Sequence, residues 1–107
     1  MDVKNLAEAR RWNGEKMQKV GLFAGDRFFC DIYCLEPGQS QKVHSHDNAD
    51  KIYVVLEGQG RFAIGEEEQV LTSNQAVHVP STLTHGVFND SDARLVVLVF
   101  LAGEYPH

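Results

Sequence analysis

A chain of 107 residues is one ordinary domain, long enough to bury a single apolar core and too short for two. Its 15 acidic and 10 basic side chains leave a net charge of −5, which repels a phosphate backbone and argues against nucleic acid as a partner. No apolar run approaches the roughly 20 residues that a membrane-spanning helix needs, and the N-terminal MDVKNLAEARR lacks the apolar stretch and cleavage site of a secretion signal. A cytoplasmic protein with no membrane contact is expected.

Residues 1–19 carry helix-forming side chains, with Asn13-Gly14 as a break, and predict a short helical segment. Lys4, Arg10, Arg11, Lys16 and Lys19 read as its solvated face, and Trp12 as the residue that packs it onto the rest. From Val20 the pattern changes. Short runs rich in Val, Ile, Phe and Tyr alternate with turn residues such as Pro37-Gly38, Gly58-Gln59-Gly60, Gly65-Glu66 and Asn89-Asp90, which predicts eight or nine strands over residues 20–103. The fold class expected is all-β, a jelly-roll barrel in one domain spanning residues 1–107. The acidic run Glu66-Glu67-Glu68 falls between two of these strands and reads as a solvated hairpin tip.

In RFFCDIYCLE, Cys30 and Cys34 sit four strand residues apart, about 13 Å between Cα atoms, beyond the roughly 7 Å that a disulfide spans. They are expected to be free and, with Phe28 and Ile32, to share one face of a strand. Further along, Ile52 to Leu56 and Leu95 to Leu101 are apolar on both faces. A small barrel has one interior, so the outer faces must be covered by the N-terminal segment or by a second copy, and a homodimer is expected.

The segment KVHSHDNADK places His44 and His46 two apart, on one face of an extended chain, where two imidazoles can converge on one ion. The frame around them resembles the cupin superfamily, in particular its small single-domain members. Gly38, five residues, His44-Ser45-His46, four residues, Lys51, six residues and Gly58 follow the first cupin motif, with Lys51 at the position of its glutamate. Asn74, five residues, Pro80-Ser81-Thr82, two residues, His85, three residues and Asn89 follow the second, with Asn74 and Thr82 at positions where the family has glycine. The resemblance implies a double-stranded β-helix around a divalent transition metal (Fe, Zn, Ni or Mn), with His44, His46 and His85 as its ligands. Asp50, next to Lys51, is an alternative fourth ligand, and His78 an alternative cavity residue; Asn89 is expected to hold a turn, and the terminal His107 to be disordered.

Lys51 is the main departure. An ammonium beside a dication is unfavourable unless it is neutral or turned aside. Either Lys51 swings toward the mouth to meet an anionic substrate, or it is desolvated and acts as a base, or it pairs with a carboxylate and silences the site. Lys51 and Tyr53, which share parity, are the expected substrate-binding residues. Two functions from different classes follow: a small metal-dependent enzyme, oxygenase or isomerase, acting on a small polar or anionic metabolite, and a non-catalytic module that binds or senses a small molecule.

Overall fold

The structure, a computed structural model, describes residues 1–45 and 49–103. It contains nine strands among the described residues: β1 (Gln18–Ala24), β2 (Phe28–Leu35), β3 (Ser40–His44), β4 (Ala49–Glu57), β5 (Gln59–Ile64), β6 (Glu67–Thr72), β7 (Ala76–Val79), β8 (His85–Phe88) and β9 (Leu95–Gly103). All pair antiparallel, in a five-stranded sheet ordered β1-β2-β9-β4-β7 and a four-stranded sheet ordered β3-β8-β5-β6. The two sheets face each other as a jelly roll. No helix among the described residues is long and apolar enough to cross a membrane.

Alternation decides which side chains enter. In β4, Lys51, Tyr53 and Val55 are buried between the sheets, while Asp50 and Ile52 face outward. Tyr33 and Val97 of the same sheet and Phe62 and Val87 of the facing sheet belong to the same core. A second cluster lies on the outer face of the five-stranded sheet, where Ala9 and Trp12 pack over Leu22, Cys30, Ile32, Cys34 and Val96. Both cysteines are free, as their spacing predicts, and burial pushes their thiols up.

Of the helical segment expected over residues 1–19, one turn is present, at Leu6–Ala9, with the Asn5 Oδ1 accepting from the backbone N–H of Ala7 and Glu8. The chain is then drawn out along the sheet. The Arg94 guanidinium lies 4.2 Å from the centre of the Trp12 ring, and Arg10 reaches Glu57 at 2.7 Å. These tertiary contacts outweigh a modest helix propensity.

Positive φ values recur along the cupin-like frame. Gly38 (85°) and Gly58 (84°) are left-handed, and so are Asn74 (73°) and Thr82 (74°), the two residues that stand where the family has glycine. Both positions thus adopt, without a glycine, a region that favours glycine. Asn89 is buried, and its side-chain amide donates to the carbonyls of Leu35 and Ala93 at 3.0 and 2.8 Å, so it holds a turn as expected.

Candidate functional site in the barrel

His44 ends β3 and His85 begins β8, and the two are direct partners across that strand pair. Their rings lie 4.3 Å apart, centre to centre, on the inner face of the four-stranded sheet. The Nδ1–H of His44 donates to the Lys42 carbonyl at 2.9 Å, and that of His85 to the Leu83 carbonyl at 3.0 Å. A carbonyl can only accept, so each Nδ1 carries the hydrogen and, in the neutral ring, Nε2 carries the lone pair. Burial, with Lys51 and Lys19 adding to it, lowers the His44 pKa below the usual imidazole value, against the pull of the Lys42 carbonyl. His44 is therefore neutral at pH 7.

Lys51 enters from the opposite sheet. Its backbone is fixed on both sides, paired with Leu101 of β9 and Val79 of β7. The side chain is 2 % exposed, and Nζ stands 3.5 Å from His44 Nε2 and 5.3 and 5.9 Å from the ring centres of Tyr53 and Tyr33. Among the described residues no carboxylate forms an ion pair with it. Burial pulls the ammonium from 10.5 down to about 8, with Lys19 pushing in the same direction and Asp31 opposing. Asp31 in turn is raised by its own burial, which Lys19 and Lys51 partly offset.

Tyr53 faces the interior as its parity predicts, but its hydroxyl is already engaged, donating to Gln41 Oε1 at 2.7 Å. Gln41 Nε2 donates onward to the Tyr33 hydroxyl at 2.9 Å. Burial drives both phenols up, Tyr33 to about 12 and Tyr53 further. The Tyr53 ring, 6.2 Å from His85 and 5.2 Å from Phe62, forms a wall of the pocket. Beyond that wall a cleft of about 420 Å³ opens between β5, β6 and β7, lined by Phe62, Ile64, Leu71 and Val77 with Glu67 and Gln69 at its polar side. Ile64 is both a wall of the cleft and the register partner of His85.

The remaining sequence candidates fall elsewhere. His46, with Asp47 and Asn48, lies outside the described residues, as does His107. Asp50 does not join the site: it points outward, accepting from His78 Nε2 at 3.0 Å and from the Ser81 backbone N–H at 2.9 Å. His78 is its exposed partner and lines no part of the pocket. The acidic run is exposed as expected, although only Glu66 lies in the turn; Glu67 and Glu68 belong to β6, and Glu68 pairs with Arg61 at 2.9 Å. Gln41 and Tyr33 escaped the sequence reading. The signal for Tyr33 was its parity with Asp31 and Leu35; for Gln41 there was none, because a register shift between Gln41 and His44 turns both inward three residues apart.

Comparison with known proteins agrees with this architecture. In solved structures the chain is similar to the TT1209 protein of Thermus thermophilus, at 42 % identity over 96 % of this chain and 98 % of that one, with a TM-score of 0.94. It is also similar to an RmlC-like cupin from Desulfovibrio desulfuricans, at 29 % identity over 95 % and 96 % of the two chains and a TM-score of 0.84. Among curated proteins it is similar to the mannose-1-phosphate guanylyltransferase of Escherichia coli K12, at 23 % identity over 97 % of this chain and 24 % of that protein. The chain thus spans a quarter or less of the length of the guanylyltransferases it matches. The family model for the cupin domain matches residues 31–101, the segment that carries both histidines, Lys51 and the tyrosine wall, and the chain belongs to the cupin family.

Proposed function

We propose that the barrel is a small-molecule site in which a divalent transition metal (Fe, Zn, Ni or Mn) is held by His44 and His85, with His46 as the third ligand expected from the sequence. The protein then acts as a small cytoplasmic metal-dependent enzyme of the oxygenase or isomerase class on a polar or anionic metabolite. The observation that carries this reading is the pair of Nδ1–H···O=C bonds, at 2.9 and 3.0 Å, which fix two adjacent imidazoles with Nε2 as the donor atom. Outer hydrogen bonds of this kind orient metal-ligating histidines and raise their basicity. The ion, when bound, supplies a Lewis acid. The chain's own contribution is the buried Lys51 ammonium, to attract an anionic group, and the Tyr53 ring beside His85, to limit what fits.

The test is equilibrium dialysis of wild-type protein and His85→Ala against one fixed concentration of free divalent metal, with elemental mass spectrometry of the protein. Close to one equivalent in the wild type, and loss of most of it in the variant, is expected. Equal uptake by the two proteins would remove His85 from the site.

A second reading, a non-catalytic binding or sensing module, is favoured by one observation: a cation of the chain itself already stands 3.5 Å from His44 Nε2. Such a pocket binds an anion without help from a metal. The guanylyltransferase relatives take their name from mannose 1-phosphate, which makes a sugar phosphate a suitable first anion to test under either reading.

A homodimer belongs to the same proposal. The N-terminal segment covers one part of the outer sheet face, and Phe100 and Ile52, partners across β9 and β4, remain 39 and 41 % exposed beside it. Adjoining apolar side chains of this kind favour a protein partner. Sedimentation velocity is expected to give a species of twice the 12.0 kDa chain mass at micromolar concentration; a monomer under those conditions rules the dimer out.

A further inference from the structure

The Lys51 ammonium is enclosed by two tyrosine rings and a histidine. It is 2 % exposed, between the rings of Tyr53 and Tyr33 at 5.3 and 5.9 Å, and it faces His44 Nε2 at 3.5 Å. Its strand lies between β9 and β7, paired with both, so the backbone cannot carry it away. The Nε2 lone pair that accepts from Lys51 is the one a metal needs. One lone pair cannot serve both, and a dication brought to His44 also meets a positive charge at close range in a poorly solvated site.

We propose that Lys51 and a divalent metal compete for Nε2 of His44, so that Lys51 is the residue that sets how weakly and how exchangeably this barrel holds its ion. The inference rests on the metal reading above. To load, the ion must turn the Lys51 side chain off His44. An anionic group of a bound ligand, by drawing the ammonium toward itself, favours that step, so metal and anion assist each other's binding, and the assistance is reciprocal.

The experiment titrates four proteins with Co²⁺, read by visible absorption and by equilibrium dialysis: wild type, Lys51→Met, Lys51→Glu and Lys19→Met. Lys51→Met removes the competitor and keeps the length of the side chain. Lys51→Glu puts a carboxylate at the same backbone position. Lys19, whose ammonium lies over the other tyrosine at 5.4 Å from the Tyr33 ring centre, serves as the control for loss of a nearby positive charge without loss of the contact to His44. Co²⁺ is expected to bind Lys51→Met at least tenfold more tightly than wild type and Lys51→Glu more tightly again, while Lys19→Met stays within threefold of wild type.

Equal Co²⁺ affinity in wild type and Lys51→Met overturns the competition and leaves the metal site standing. A gain in Lys19→Met as large as that in Lys51→Met overturns it too, since the effect would then be one of overall charge. No Co²⁺ binding by any of the four proteins overturns the metal reading and this inference together. Circular dichroism melts of all four confirm that each is folded during the titration.

Discussion

Gly58→Ala is expected to destabilise the protein by about 3–5 kcal/mol, a large share of the roughly 5–15 kcal/mol that holds a domain of ordinary stability folded. Two causes act together. Gly58 connects β4 to β5 at φ 84°, a conformation in which any residue with a Cβ is strained. A Cβ built there also runs into the Arg94 carbonyl oxygen and lies 3.3 Å from the Leu95 Cα, at the start of β9. These neighbours are backbone atoms at the entry to β9, so the clash cannot be relieved by rotating a side chain. Thr82 offers the converse case: it is β-branched and held at φ 74° with no demand for its side chain in the pocket, and Thr82→Gly is expected to gain about 1 kcal/mol. Urea denaturation of the three proteins checks both signs, and a Gly58→Ala midpoint equal to wild type would mean that this turn yields more readily than its contacts indicate.

The second large effect is electrostatic. Lys51 has an ordinary pKa of 10.5 and is pulled to about 8 in the fold, chiefly by burial. Between those values the unfolded chain binds more protons than the folded one, so stability rises with pH through this window; below pH 8 the whole penalty is felt, about 3 kcal/mol. Lys51→Met is therefore expected to be more stable than wild type by about 2–3 kcal/mol at pH 7 and to lose the rise between pH 8 and 10. The window closes there because Tyr33 is shifted the other way, up to about 12. A phenol kept neutral by the fold contributes stability that is full below its ordinary pKa and lost above it. At the acid end His44, lowered mainly by burial, costs stability as pH falls below its usual value. Urea midpoints measured from pH 5 to 10 on wild type and Lys51→Met test these signs; a wild-type curve flat from pH 8 to 10 would show that the Lys51 charge is solvated.

A buried charge that weakens the fold and has no carboxylate beside it among the described residues is the kind of feature retained at sites rather than in cores. The two predictions thus bear on different roles in one frame. Gly58 concerns the backbone; Lys51 concerns the interior between the sheets.

Much of that frame was legible in the sequence. Strand alternation placed Lys51 and Tyr53 on one face, and the spacing of the cupin motifs placed His44 with His85, residues 41 positions apart that become direct partners only when β3 pairs with β8. Two of the motif positions carry a backbone requirement: Asn74 and Thr82, where the motif has glycine, are both left-handed. Asn tolerates that region better than most residues, Thr poorly. What stayed hidden depends on contacts between distant strands. That Asp50 turns to His78 and Ser81 follows from the β4–β7 pairing, which no local pattern encodes. Gln41 was missed because a register shift breaks the two-residue period on which such reading depends. The N-terminal helix was overestimated for a related reason, since Trp12 and Arg10 find partners far along the chain that a local propensity does not foresee.

The position of β9 has a consequence for how the chain comes into being. The last of the nine described strands lies in the middle of the five-stranded sheet, paired with β2 on one side and β4 on the other. Until residues 95–103 have left the ribosome, β2 and β4 each present a bare hydrogen-bonding edge. Such edges recruit other chains. The five-stranded sheet therefore cannot be built strand by strand in chain order, and a chain interrupted before Leu95 is the species most exposed to aggregation.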